Sequence, residues 1–315
     1  MKSFRPTTWN ELTELLYADS WRPALGRFRS RYAYRGMVDA SHSLSTTLSQ
    51  LGARFSQNES HLLRNFRKYA HGSTPGSPVP TDSIWNWLSL AQHHGLPTRL
   101  LDWTYSPFVA LHFATFEPST FNRDGVVWCI DYAKAHQLIP QSLRKVLRSE
   151  SADVFTAEML DRVMPTLPAL DRFGKRKPFV LFLEPPSLDD RIVNQFALFS
   201  LMSSPTASLN DWLRQQQSLA HPIIIPAQLK WEIRDKLDQA NISERVLFPG
   251  LDGLCKLLKR YYSPRPDYQS KTRQPQRTHA RLSDSDSNGA SRPTSRPQEP
   301  TGNGSRSTRK TKNRR

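Results

Sequence analysis

Between Ala91 and Thr115 the chain reads AQHHGLPTRLLDWTYSPFVALHFAT, which sets Gln92, His93, His94, Thr98, Arg99, Asp102, Trp103 and Thr104 around one Gly/Pro turn. Each has a structural explanation when taken alone. Asp102 can cap the helix that follows, Arg99 can pair with Asp102, and the histidines can end a helix. Together they place a cation, a carboxylate, a hydroxyl and an aromatic in a short extended segment, a set suited to holding a polar, anionic ligand. Two stretches elsewhere have the same character. Tyr34-Arg35-Gly36 ends a small-and-aromatic run, where a glycine lets a ligand come close to backbone beside a guanidinium. Gln195 sits in NQFALF after RIV. A metal is not expected. His93 and His94 are adjacent, so on a helix they point about 100° apart, and no HExxH pattern or carboxylate trio supports them.

The elements that carry these residues follow from pattern. Thr8 and Glu11 form a capping box ahead of the apolar stripe Trp9, Leu12, Leu15, Leu16. RYAYRG reads as a short strand. SLSTTLSQ reads as a polar loop or turn. Residues 59–70 predict a helix with Leu62, Leu63, Phe66 and Tyr69 on one side, and 71–82 a Pro/Gly loop. SIWNWLSLAQHHG predicts a helix stopped by Gly95, and LPTRLLDWT an extended run. Ser106 then caps a helix with Pro107 at its first position. Strands are predicted at DGVVWCIDY, KPFVLFLEP, the end of DDRIVNQFALFSL, and HPIIIPAQ. Helices are predicted through 134–170, over QLKWEIRDKLDQANI, and at SERVLFPGLDGLCKLLKRYY. The order lacks strand–helix alternation, so the expected class is α+β, with a mixed, irregular central sheet flanked by helices. No internal repeat is visible.

The chain has 315 residues and a net charge of +16. Residues 264–315 carry 13 Lys+Arg against 4 Asp+Glu and lack Ile, Val, Phe, Trp and Met. That composition predicts a disordered basic tail behind a body at 1–263. Such a tail suits non-specific contact with nucleic acid, since base-specific reading needs a rigid element in a groove. The two cysteines, Cys129 and Cys255, lie among apolar neighbours and predict small core residues in a reducing compartment. No run of 18 apolar residues and no apolar signal core occurs, so a cytoplasmic protein without a membrane span is expected.

YRG at 34–36, QHHGLPTRLLDWTYSPFVALHFA, RIVNQFALFSL and SERVLFPGLDGLCKLL together resemble the FRG domain of bacteria and phage, over roughly residues 25–260 with its core motifs in 30–200. The motif order also resembles that of ADP-ribosyltransferases, in which an aromatic–Arg–Gly strand, a Ser/Thr-bearing strand running into a helix, and a Glu or Gln motif follow one another. This resemblance implies an ADP-ribosyltransferase-like fold that takes NAD as substrate. It assigns Tyr34, Arg35, Gly36, His94, Arg99 and Trp103 to ligand binding, with Trp103 or Tyr34 stacking on the nicotinamide ring. It assigns Gln195, Thr104 and Asp102 to catalysis. Thr104 would bond ribose or hold the Gln195 motif in place. Gln195 is neutral where a carboxylate usually stabilises an oxocarbenium-like ribose, and Asp102 can supply that charge if it faces the cleft. The alternatives are a non-catalytic module for a phosphorylated ligand or nucleic acid, and a structural corner in which Arg35 pairs with Asp102.

Overall fold

The computed structural model describes residues 1–52, 58–70, 83–187, 190–216 and 218–264. One compact unit spans Met1–Ser263, and Pro264–Arg315 forms a second, which lies outside the described residues from 265 onward. The predicted loop 71–82 and the predicted tail therefore also fall outside them.

Among the described residues eight strands occur: β1 (Trp21–Arg22), β2 (Arg27–Phe28), β3 (Tyr32–Met37), β4 (Leu101–Thr104), β5 (Gly125–Asp131), β6 (Val180–Leu183), β7 (Ala197–Met202) and β8 (Ala220–Ile225). The described helices are α1 (Trp9–Tyr17), α2 (Thr47–Gln50), α3 (Glu59–Ala70), α4 (Ile84–His93), α5 (Pro107–Ala114), α6 (Tyr132–His136), α7 (Gln141–Ser149), α8 (Ala157–Val163), α9 (Leu167–Gly174), α10 (Asp190–Asn194), α11 (Leu209–Gln215), α12 (Lys230–Gln239), α13 (Glu244–Leu247) and α14 (Leu251–Tyr261). The protein is α+β. SLSTTLSQ, read as a polar loop or turn, contains the single helical turn α2, because the Thr46 hydroxyl accepts from Ser49 N and caps it. The Thr8 and Ser106 caps form as expected, each accepting from the amide three residues on.

Six strands make one antiparallel sheet in the order β6-β7-β4-β3-β5-β8, and β1 and β2 form a separate ribbon. Pairing is extensive on either side of the centre, with six register pairs in β3–β5 and four in β4–β7. The central β3–β4 contact has one, Tyr34 opposite Thr104. Period-2 alternation then assigns each side chain to a face. Ala33, Trp103, Ile130, Phe182 and Leu198 share one face and pack with α6 and α11. The other face is split. Its β6–β7 half, with Leu181, Phe199 and Leu201, lies under α4, α7, α8 and α9. Its β3–β5–β8 half, with Tyr32, Tyr34, Val127 and Ile223, lies under α1, α5 and α12.

Two sequence expectations change, those for Tyr69 and Cys255, while Cys129 is the core residue expected. Tyr69 is exposed (67%) rather than part of the apolar side of α3, whose buried contact is Leu63. Cys129 is buried in β5, where burial pushes its thiol up. Cys255 is exposed, because α14 turns the opposite side of the helix to the body.

Candidate functional site

A pocket of about 250 Å³ opens on the split face, where β3 and β4 part. Its lining includes Arg35, Gly36, Gln92, Asp102, Thr104 and Gln195. Residues from the three motif stretches, far apart in sequence, thus share one concave surface.

Gly36 explains how α5 reaches this wall. A Cβ at position 36 would fall on the Ala110 carbonyl oxygen and lie 2.6 Å from Ala114 N. Only a residue without a side chain lets the α5 backbone rest directly on the strand. This seats the C-terminal half of α5, from Ala110 to Ala114, against β3.

Arg35 sits beside Gly36 and turns its guanidinium into the gap between the strands. Nη1 donates to the Asp102 carbonyl oxygen at 2.6 Å, and lies 3.9 Å from the Asp102 carboxylate. Nε is buried and makes no hydrogen bond in the structure. Burial lowers the pKa of the guanidinium, and Asp102 acts in the opposite sense. The Asp102 side chain is 60% exposed and faces the pocket. It is oriented from the other side. Gln92 Nε2 donates to both of its oxygens at 3.1 and 3.2 Å, and the Thr98 hydroxyl donates to Gln92 Oε1 at 2.5 Å. Thr98 Oγ1 in turn accepts from Leu100 N at 3.1 Å. A relay of polar groups from the α4–β4 turn therefore fixes one carboxylate at the pocket.

Thr104 is buried and bridges the second and third motifs. Its hydroxyl donates to the Gln195 carbonyl oxygen at 2.7 Å and accepts from Ser106 N at 3.0 Å. Of its two expected roles, holding the Gln195 motif in place is the one the geometry meets. The Gln195 amide nitrogen donates to Leu247 O at 2.9 Å, so this side chain ties the α10–β7 turn to α13. Phe196, next to it, has a φ of 48°. That left-handed conformation is costly for an aromatic residue.

Two expected ligand residues, Arg99 and His94, do not line the pocket. Arg99 is buried and fully engaged elsewhere. Its Nε and Nη2 each lie 2.6 Å from Glu59 Oε2, and Nη1 donates to Asp171 Oδ1 at 2.7 Å. His94 is the exposed C-cap of α4, and it is His93 that lines the pocket. The rings expected to stack on nicotinamide border the pocket but are buried in the core. Tyr34 donates its hydroxyl to Leu16 O at 3.1 Å, and Trp103 donates Nε1 to Ser200 Oγ at 2.8 Å while packing edge-on to Phe182. Ser106, not Asp102, caps α5. Glu184 accepts from the Tyr105 hydroxyl, and Asp189 lies outside the described residues.

Arg191 and Phe113 line the pocket and had not been singled out. Arg191 precedes Gln195 by four residues, which on a helix places it on the same face, so the spacing in RIVNQ was the available signal. Its guanidinium lies 5.1 Å from the Phe248 ring centroid. Among the described residues no three His, Cys, Asp or Glu side chains form a metal-binding group.

A six-stranded antiparallel sheet that parts at its centre, with arginines and one oriented carboxylate at the opening, forms the middle of this α+β domain. Residues 30–123 match the family described as the FRG domain. Arg35, Gly36, Gln92, Asp102 and Thr104 fall inside the match, while Arg191 and Gln195 fall beyond it. No curated protein and no solved structure matches the chain. Among the described residues no helix is long and apolar enough to cross a membrane.

Proposed function

We propose that the cleft binds NAD and transfers its ADP-ribosyl group to a nucleophilic acceptor. The supporting observation is the meeting of Arg35, Asp102, Thr104 and Gln195 on one pocket, with Arg191 at its side. In this reading Arg35 and Arg191 take the diphosphate as charge-assisted hydrogen-bond donors. The bond from ribose C1′ to the nicotinamide nitrogen breaks with its electron pair, so nicotinamide leaves neutral and positive charge gathers at C1′. Asp102, aimed by Gln92, stands as the anion that stabilises that charge. The acceptor forms the new bond to C1′ and gives up its proton to solvent. Thr104 positions Gln195 through the backbone bond at 2.7 Å.

One observation favours a second reading, a non-catalytic module for a phosphorylated ligand or nucleic acid. Gln195 is neutral and its amide nitrogen is already bound to Leu247. Incubation with nicotinamide-labelled NAD and candidate acceptors separates the two. The first reading expects nicotinamide release that Asp102→Asn abolishes while binding persists, and that Arg35→Ala removes together with binding. NAD that binds but stays intact supports the second. Failure of NAD, nucleotides and oligonucleotides to bind the cleft refutes both. Thermal midpoints of each variant show whether it is folded.

A further inference from the structure

The last helix, α14, joins the body in an unusual way. Its buried residues are Gly253 and Arg260, seven apart on one side. A Cβ on Gly253 would fall on the Phe248 carbonyl oxygen, so the helix backbone rests on the chain before it. Arg260 donates to Glu244 at 2.6 and 2.8 Å and to both oxygens of Asp238 at 2.7 Å. None of the apolar side chains of α14 enters the three core clusters. Leu254 and Leu257 are half-buried, and the others are exposed. Leu251 is 77% exposed, Leu258 46% and Tyr262 82%, and Cys255 is exposed as well.

The spacing 251, 255, 258, 262 is four, three, four, which is the seam of a coiled coil. Written as heptad positions, Leu251 and Leu258 are d, and Cys255 and Tyr262 are a. Gly253 and Arg260 are both f, opposite the seam, which is why they meet the body. We propose that this seam pairs with the same helix of a second copy of the chain, antiparallel, about a two-fold axis.

The flanks select this occupant. Antiparallel pairing sets Leu251 against Tyr262 of the other copy and Cys255 against Leu258. It brings position e to face e and g to face g. The e positions are Asp252 and Lys259, both exposed and of opposite charge, so each copy meets the other in two ion pairs. The g positions are Leu254 and Tyr261, which add an apolar flank. Parallel pairing would leave Asp252 and Lys259 without those partners. The interface is isologous and closes at two copies. An 11-residue helix is only ~16 Å long, so the contact is at the small end of specific interfaces and the dimer is reversible.

Sedimentation velocity on the full chain, from micromolar to near-millimolar concentration, tests this. The expected result is a monomer–dimer equilibrium that Leu258→Asp abolishes. Asp252→Lys alone or Lys259→Asp alone should weaken the dimer about tenfold, two like-charge contacts replacing two attractive ones, and the double exchange should restore it. A short bismaleimide should join Cys255 to its counterpart in the wild type and not in Leu258→Asp, since Cys129 is buried. A chain that stays monomeric throughout overturns the proposal, as does a dimer indifferent to Leu258→Asp or a double exchange that does not recover association. All these positions are exposed, and circular dichroism checks that each variant is folded.

Discussion

Replacing Arg99 by methionine separates a structural arginine from a ligand-binding one. The substitution keeps the apolar stem and removes the guanidinium. It leaves the Glu59 carboxylate, whose side chain is 4% exposed, with a single remaining donor, the residue 99 backbone amide. Asp171 is 39% exposed and can be rehydrated. The cost is therefore set by Glu59, and an uncompensated buried charge of this kind is worth about 3–5 kcal/mol. Burial already pushes the Glu59 carboxyl up, with Arg99 opposing; without Arg99 it rises further. A carboxyl whose folded pKa exceeds its unfolded value favours the folded state most fully below the unfolded value, and loses that contribution as pH climbs through the folded one. The deficit of Arg99→Met should thus be greater at pH 7 than at pH 5.5, narrowing by no more than ~1.4 kcal/mol per pH unit. Urea unfolding of wild type, Arg99→Met and Arg99→Met/Glu59→Leu at both pH values reads this directly. The double variant should recover most of the loss, since an apolar pair fills the same space without desolvated charge. Ligand affinity per folded molecule should not change. A single variant within about 1 kcal/mol of wild type, or a double variant as unstable as the single, would refute the reasoning.

Gly36→Ala should cost about 3 kcal/mol or prevent folding, because the Ala110 carbonyl occupies the space and backbone must move; a urea midpoint equal to wild type would contradict the α5 contact. Thr104→Val should cost about 1–3 kcal/mol by stranding the Gln195 carbonyl and the Ser106 amide, and should weaken cleft binding more than Thr104→Ser does; calorimetry compares the two. His136 accepts from Phe182 N at 2.9 Å, and His112 lies 2.8 Å from Arg234 Nη1, so both rings are held neutral. Burial lowers them to about 4 and about 3. Because these folded values lie below the unfolded one, their contribution is complete above pH ~6.5 and is lost as pH falls. The two together should remove about 3 kcal/mol between pH 6.5 and 5, and a flat unfolding free energy over that range would rule this out.

Local signals carried much of the fold. Thr8, Ser106 and Pro107 act on the next three or four residues, and the helix starts they mark are where the structure has them. The sheet strands could be read from apolar alternation, but not their order, since nothing local says that β4 lies between β3 and β7. The site followed the same division. Arg35, Asp102, Thr104 and Gln195 converge as the motif stretches suggested. The partner of each side chain depended on burial and register. Arg99 belongs to Glu59, forty residues earlier, a pairing with no trace in the spacing around LPTRLLD. Tyr34 and Trp103 look like stacking rings in a short motif and become core residues once the sheet faces are assigned. Cys255 sits among leucines in sequence yet is exposed, because apolar spacing marks a seam without saying what fills it.

The single register pair between β3 and β4 bears on how the protein moves. With Tyr34 opposite Thr104 as their lone ladder contact, β6-β7-β4 and β3-β5-β8 are two well-knit ribbons joined along a thin line. Arg35 crosses that line from one side to the backbone of Asp102 on the other. A molecule gripped by both residues would lie across the join and lace the ribbons together, so its arrival should register as slowed amide exchange on both edges of the opening. The weakest line in the sheet would then be the one that an occupant stiffens.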